Sequence, residues 1–232
     1  MGKRSKLEKF AENLQFPNVF ENFNFEDPRL YAAYNKPVDY RGQWKEKYFR
    51  NDFPLTLELA CGRGEYSLGL ARLNAKKNYI GIDIKGARIW KGAATALAED
   101  LSQVAFVRTR IELIPTFFAK DEVDEIWITF PDPFPRPSKS NRRLISVPYL
   151  KTYKQILRPG ALLHLKTDNT PLYEFGLTTL SSDNDFEIIN HYNDVYQQSS
   201  ITPELEIRTY YEKIHLSEGR TIKYIQSRYM PK

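Results

Sequence analysis

The sequence predicts an α/β fold, a mostly parallel sheet with helices on both faces and an antiparallel hairpin at its C-terminal end. Three observations carry that expectation. From Leu55 onward, short apolar runs alternate with helix-length stretches. The first run ends in a glycine-rich turn, and the C-terminal part changes to strand-like runs about a tight turn.

Leu55–Leu59 reads as a strand, ended by Cys61-Gly62-Arg63-Gly64 and followed by a helix over Glu65–Leu73. Tyr79–Ile84 is a second strand and Gly86–Leu101 a second helix. Val104–Val107, Glu125–Phe130 and Ala161–Leu165 are three more buried strands, separated by segments long enough for crossovers. Phe186–His191, Arg208–Leu216 and Thr221–Tyr229 are strand-like. Ser217-Glu218-Gly219-Arg220 joins the last two, with Gly219 available for φ > 0. Residues 1–52 differ: Pro17, Pro28 and Pro37 interrupt any long helix, which predicts an irregular N-terminal arm with one or two short helices. Residues 53–232 are expected to form a single domain, long enough to bury a large core. A parallel sheet ending in an antiparallel hairpin is the outline of the class I methyltransferase (Rossmann-like) fold.

A hydrophobic share of 41% with 27% charged residues fits a soluble globular chain, and the net charge of +5 favours a polyanionic partner. The single cysteine, Cys61, allows no internal disulfide, so a reducing compartment is expected. The basic start has no apolar stretch behind it and nothing reaches the length of a membrane span, which predicts a cytoplasmic protein with no membrane partner. His164, His191 and His215 are scattered without ligand spacing, so no metal is expected. Monomer and homodimer are both compatible with the sequence.

Open α/β sheets bind ligands at the carboxyl ends of their strands. The first such end is Glu58-Leu59-Ala60-Cys61-Gly62-Arg63-Gly64, where Gly62 and Gly64 let the backbone turn tightly and approach a ligand. The next strand reaches Asp83, nineteen positions after Gly64, and a carboxylate there can accept both hydroxyls of a ribose. A dinucleotide site would need a third glycine, and Ser67 occupies that position. Glu58 would repel a pyrophosphate yet suits the amino group of a methionine moiety. S-adenosyl-L-methionine is therefore the expected cofactor, against a nucleotide or a merely structural turn. Cys61 reads as a packed small residue.

The fourth strand runs into Phe130-Pro131-Asp132-Pro133-Phe134-Pro135-Arg136-Pro137, whose prolines are expected to hold it extended and present Asp132 at the mouth of the sheet. Arg136, Lys139, Arg142 and Arg143 follow with no acidic residue from Pro133 to Leu150, interleaved with Ser138, Ser140 and Asn141. A one-signed run beside a site predicts contact with nucleic acid. Tyr31, Tyr34, Tyr40 and Trp44 in the arm are candidates for stacking on exposed bases.

With these segments in hand, the chain resembles the bacterial tRNA (guanine-N7)-methyltransferases. LELACGRGEY, YIGIDIKG, ITFPDPFPRPSKSNRRL, LKTD and RTYYEKIHLSEGRTI carry the resemblance, and the F-P-D-P segment with its basic tail is the most specific. The resemblance implies a class I fold, S-adenosyl-L-methionine as donor and the variable-loop guanine of tRNA as target. It also implies cofactor binding by Glu58 and Asp83, with Asp132 between cofactor and base. Arg136, Asp168 and Thr209, Tyr210, Tyr211 and Glu212 would face the tRNA. The family usually has glycine where Ala60 stands, tryptophan for Phe134 and lysine for Arg136. It usually has an aspartate near Arg110, so any adenine contact at Arg110 would come from backbone.

Guanine N7 carries a lone pair and no hydrogen, so its methylation needs placement rather than a general base. Asp132 and Asp168 are expected to act as positioners. A methyltransferase for another RNA or a small molecule, and a non-catalytic RNA-binding scaffold, are the rival readings.

Overall fold

A computed structural model describes residues 4–232, so the first three residues of the basic start lie outside it. Among the described residues ten strands form one sheet in the order β3-β2-β1-β6-β5-β4-β7-β8-β10-β9. They are β1 (Val19–Glu21), β2 (Leu30–Ala33), β3 (Lys36–Val38), β4 (Leu55–Leu59), β5 (Asn78–Asp83), β6 (Val104–Arg108), β7 (Val123–Thr129), β8 (Leu157–Thr167), β9 (Phe186–Tyr192) and β10 (Lys223–Tyr229). The helices are α1 (Lys6–Asn13), α2 (Glu65–Leu73), α3 (Gly86–Ala98), α4 (Ile114–Phe117), α5 (Val147–Tyr153), α6 (Thr170–Ser181), α7 (Pro203–Glu206) and α8 (Tyr210–Ser217).

Strands β6, β5, β4, β7 and β8 pair in parallel, and β10 runs antiparallel between β8 and β9. The strand order turns at β4, between β5 and β7, which is where such sheets open a crevice for ligands. Every residue of β4 and β5 is buried, as expected of strands covered on both faces. Alternate side chains feed two cores. Leu57, Ile80, Val107, Ile126 and Leu165 pack on one face, and Tyr79, Phe106, Trp127 and Tyr224 on the other.

Two expectations are corrected. The C-terminal antiparallel pair is present, but it joins β9 to β10, and most of Arg208–Leu216 is helix. The Thr209 hydroxyl accepts from the Glu212 amide at 3.2 Å and caps α8, so local capping decides a stretch whose apolar spacing reads equally as strand. The N-terminal stretch is also more regular than an arm. Ser5 and Glu8 close a reciprocal capping box on α1, β1 adds to the sheet parallel to β6, and Trp44 to Phe49 form a π-helical turn. Trp44 is wholly buried, stacks on Phe118 and donates its indole N–H to the Phe117 carbonyl at 2.9 Å. It cannot stack on RNA. Tyr31 and Tyr40 are half-buried, and Tyr34 alone of the four proposed rings stands 74% exposed.

Among the described residues no helix is long and apolar enough to cross a membrane, and no group of three or more His, Cys, Asp or Glu is placed to hold a metal.

Candidate active site

Glu58 sits near the carboxyl end of β4 and is 3% exposed. Its Oε2 accepts from the Ser67 amide at 2.8 Å and the Ser67 hydroxyl at 2.5 Å, and its Oε1 accepts from Thr129 Oγ1 at 3.3 Å. Burial pushes the carboxyl up to about 7, against the lowering effect of those three hydrogen bonds, and no described cation offsets it. The site therefore holds a carboxylate that is short of a positive partner.

Asp83 ends β5. Its Oδ2 accepts from the Gly62 amide at 2.9 Å and its Oδ1 from the Lys85 amide at 2.8 Å, which ties the glycine turn to the next loop. The two glycines differ in role. A Cβ at Gly62 (φ +56°) would point into open space, whereas one at Gly64 would lie 2.4 Å from the Phe106 ring. Gly62 leaves room at the cleft and Gly64 serves packing against β6. Cys61 is buried and its thiol is held well above the ordinary range by that burial, so it packs rather than reacts.

Three adjoining clefts open here. The first, about 440 Å³, is lined by Glu58, Gly62, Arg63, Trp90, Tyr210 and Tyr211. The second, about 680 Å³, is lined by Asp83, Thr109, Arg110, Tyr149 and Asp132. The third, about 330 Å³, is lined by Asp132, Asp168, Tyr211, His215 and Arg220. Phe130 and Arg88 border all three. Asp132 borders the second and third; it is exposed and faces the space where they meet.

The segment that carries Asp132 is kinked rather than uniformly extended. Phe130 and Phe134 have φ of 49° and 42°, a conformation that bulky residues adopt only when their surroundings impose it. Arg143 is part of that surrounding. It is 8% exposed, donates from Nε to the Pro133 carbonyl at 3.0 Å and from Nη2 to the Phe134 carbonyl at 3.1 Å, and lies over the Phe175 ring. The expectation that Arg143 meets RNA is thereby corrected: its side chain is buried, and Nε and Nη2 donate to carbonyls of its own loop. Arg136, Lys139 and Arg142 remain exposed, Arg136 just before and the other two on a 3-10 helical turn over Pro137–Arg142, and Arg142 lies over the Phe134 ring.

Glu212 is likewise placed inside. It is wholly buried and ion-paired with Lys166 at 2.8 Å, so it cannot face RNA directly. Thr209 is spent on its cap, while Tyr210 and Tyr211 are about half exposed on the cleft wall. Asp168 lines the third cleft but accepts from Arg220 Nη1 at 2.8 Å, and the following helix is capped by Asn169 instead. Arg110 lies on the Phe25 ring at the edge of the second cleft. The sequence left Arg88 and Lys166 unmarked. Arg88 carried no signal beyond its nearness to Asp83, and Lys166 stood inside the LKTD run as an ordinary strand residue.

Residues 52–225 match a family model described as "Putative methyltransferase". The chain is 43% identical to the tRNA (guanine-N(7)-)-methyltransferase of Christiangramia forsetii over 227 residues, covering 97% of this chain and 98% of that protein. This chain belongs to the tRNA (guanine-N7)-methyltransferase family. The protein of that name from Cytophaga hutchinsonii is 38% identical over 98% of this chain and 99% of its own length. Among solved structures, the 16S rRNA methyltransferase KamB has a TM-score of 0.62 at 15% identity, covering 85% of this chain and 97% of that one. An O-methyltransferase from Thermotoga maritima has a TM-score of 0.54 at 14% identity, over 78% of this chain and 61% of that one. Both share the class I fold. Ala60 has φ of 56°, a left-handed position that favours glycine and that an alanine occupies here.

Proposed function

We propose that the protein transfers a methyl group from S-adenosyl-L-methionine to N7 of a guanine in the variable loop of tRNA, in the cytoplasm, with residues 53–232 as its methyltransferase domain. One observation carries the reading. Asp132 stands exposed where the cleft bordered by Asp83 opens into the cleft bordered by Asp168, with Arg136, Lys139 and Arg142 on the chain just beyond.

The donor side fits the cofactor by its chemistry. Glu58 is a buried carboxylate without a cation, which suits an ammonium group, and Gly62 leaves the cleft open beside it. Asp83 has lone pairs to spare beyond its two amide donors and suits a ribose diol. When bound, S-adenosyl-L-methionine supplies an electrophilic methyl group on sulfur. The protein's own task is then to hold guanine N7 in line with that methyl at roughly 3 Å and to keep the base from rotating. Asp132 and Asp168 do this by accepting hydrogen bonds from the guanine N1–H and amino group. No side chain has to take a proton, because N7 carries none. Arg136, Lys139 and Arg142 hold phosphates of the same RNA.

The test is transfer from labelled S-adenosyl-L-methionine to tRNA with and without the variable-loop guanine, followed by borohydride and aniline cleavage, which breaks the chain at 7-methylguanosine. Cleavage at that guanine supports the reading. Label in both RNAs, or tRNA binding without transfer, would replace it with another methylation target or with a binding scaffold.

A further inference from the structure

Lys166, near the end of β8, is a charged side chain with no exposure at all, and it spends its three donors on one distant segment. Its ammonium donates to the carbonyls of Leu205 at 2.8 Å and Ile207 at 3.0 Å, and it pairs with both oxygens of Glu212 at 2.8 and 3.0 Å. Glu212 is equally buried, and its Oε1 also accepts from the Tyr196 hydroxyl at 2.8 Å. A buried ion pair gains little net stability over an apolar pair of the same shape, because desolvation opposes it. What it does provide is a single geometry, since neither charge tolerates being left alone.

That geometry belongs to residues 203–212, which run from Leu205, buried in the core beside α2, to Thr209, Tyr210 and Tyr211 at the edge of the cleft that also holds Gly62. Helix α2 holds the same segment from the other side. The Tyr66 hydroxyl donates to the Glu204 carbonyl at 2.5 Å, and the Glu65 carboxylate accepts from the Tyr210 amide at 2.7 Å. Ile207 fits against Gly69, where a Cβ would come within 2.7 Å of it. Held this way, the Tyr210 ring lies 4.9 Å from the Arg63 guanidinium, and Tyr210 and Tyr211 border the same cleft as Glu58 and Gly62.

We propose that residues 203–212 are a strap over the methyl-donor cleft and that Lys166 and Glu212 are its positioning pair, acting on cofactor affinity rather than on tRNA contact. This rests on the reading of that cleft as the S-adenosyl-L-methionine site. It moves Thr209 to Glu212 from the RNA side of the enzyme to the donor side, with Tyr211 at the junction of the two.

Two variants test it. Lys166→Met with Glu212→Leu removes both charges together and avoids leaving one unpaired, and Tyr210→Ala removes an exposed wall residue without touching the core. Cofactor binding is measured by calorimetry without RNA, and tRNA binding by fluorescence anisotropy without cofactor. The double variant is expected to weaken S-adenosyl-L-methionine at least tenfold and Tyr210→Ala about threefold or more, with tRNA affinity within twofold of wild type in both. Weakened tRNA binding with cofactor affinity retained would return the strap to the RNA side. Wild-type affinity for both ligands would also overturn the proposal. If the double variant does not fold, Tyr210→Ala decides alone by the same two measurements. Failure of the wild-type protein itself to bind S-adenosyl-L-methionine would overturn the reading of the cleft, a result separate from any difference among variants.

Discussion

The two sides of the site are built on opposite plans. On the side proposed for the methyl donor, Glu58 and Asp83 are buried, each takes two or three hydrogen bonds from neighbouring elements, and Tyr210 and Tyr211 are tied to β8 and α2. On the side proposed for RNA, Asp132 and Arg136 stand in solvent on the proline segment, and Lys139 and Arg142 on the short turn after it. The difference follows from the ligands. A small molecule is held best by groups already fixed at its dimensions, because ordering them on binding costs affinity. A large polyanion brings its own rigid shape and is met by exposed charges that attract it from a distance and settle on contact.

The sharpest way to break that comparison is Arg143, which follows Arg142 directly yet belongs to the buried plan. Arg143→Ala should cost about 2–4 kcal/mol of stability in urea unfolding, since two loop carbonyls lose a charged donor and a ring loses its cation. Unchanged stability would put Arg143 back among the surface charges.

Glu58→Gln comes next and separates function from stability. Because burial raises the Glu58 carboxyl to about 7 from an ordinary 4.5, the folded protein binds that proton more tightly than the unfolded chain. The proton's stabilising contribution is complete at low pH and is lost as pH rises through about 7. At pH 8 without cofactor, the glutamine variant should therefore melt above wild type, by up to roughly 3 kcal/mol. Its affinity for S-adenosyl-L-methionine should fall at least tenfold, about 1.4 kcal/mol. In the wild type, calorimetry should show cofactor binding weaken as pH drops below about 7, where the ammonium partner meets a protonated acid. A variant that is both less stable and equally tight would sink this account.

Asp132→Asn tests the exposed plan at its centre. Single-turnover methyl transfer at saturating cofactor and tRNA should slow at least tenfold, about 1.4 kcal/mol of barrier, while the wild-type rate stays nearly flat between about pH 6.5 and 8.5. A steady rise of the wild-type rate with pH would reveal an essential base. The smallest effect is expected for Arg142→Ala. Stability should stay within about 0.5 kcal/mol of wild type, and the salt dependence of tRNA binding should flatten by roughly 0.7–0.9 in log–log slope for one phosphate contact. An identical slope would take Arg142 off the RNA.

These residues also mark where the sequence could be read and where it could not. Glu58, Asp83 and Asp132 were legible because each follows an apolar run at the end of a parallel strand, so their place at the sheet mouth follows from the pattern itself. Arg142 and Arg143 were not separable. Identical side chains in adjacent positions are set apart only by tertiary contacts: Arg143 meets the Pro133 and Phe134 carbonyls and the Phe175 ring, more than thirty residues further along, while Arg142 stays outside. The stretch from Arg208 to Leu216 misled for a related reason. Its apolar spacing suits either period, and the helix is chosen by the Thr209 cap and by Lys166, which reaches Glu212 from another strand. Strand β1 was missed because three residues carry no period, and its pairing with β6 is set by tertiary contact.

The cofactor cleft has a further property, set by where its walls come from. Lys9 of α1 and Tyr211 of α8 border the same space from about two hundred positions apart in the chain, while its floor comes from β4 and the turn after it. Contacts so distant in sequence carry a large loop-closure cost and are expected to form slowly. A growing chain that has emerged only as far as β8 would hold the floor of the cleft and Lys166, but neither Glu212, which pairs with Lys166, nor Tyr210 and Tyr211, which border the cleft. If this cleft is the methyl-donor site, cofactor affinity during refolding should trail the appearance of the sheet.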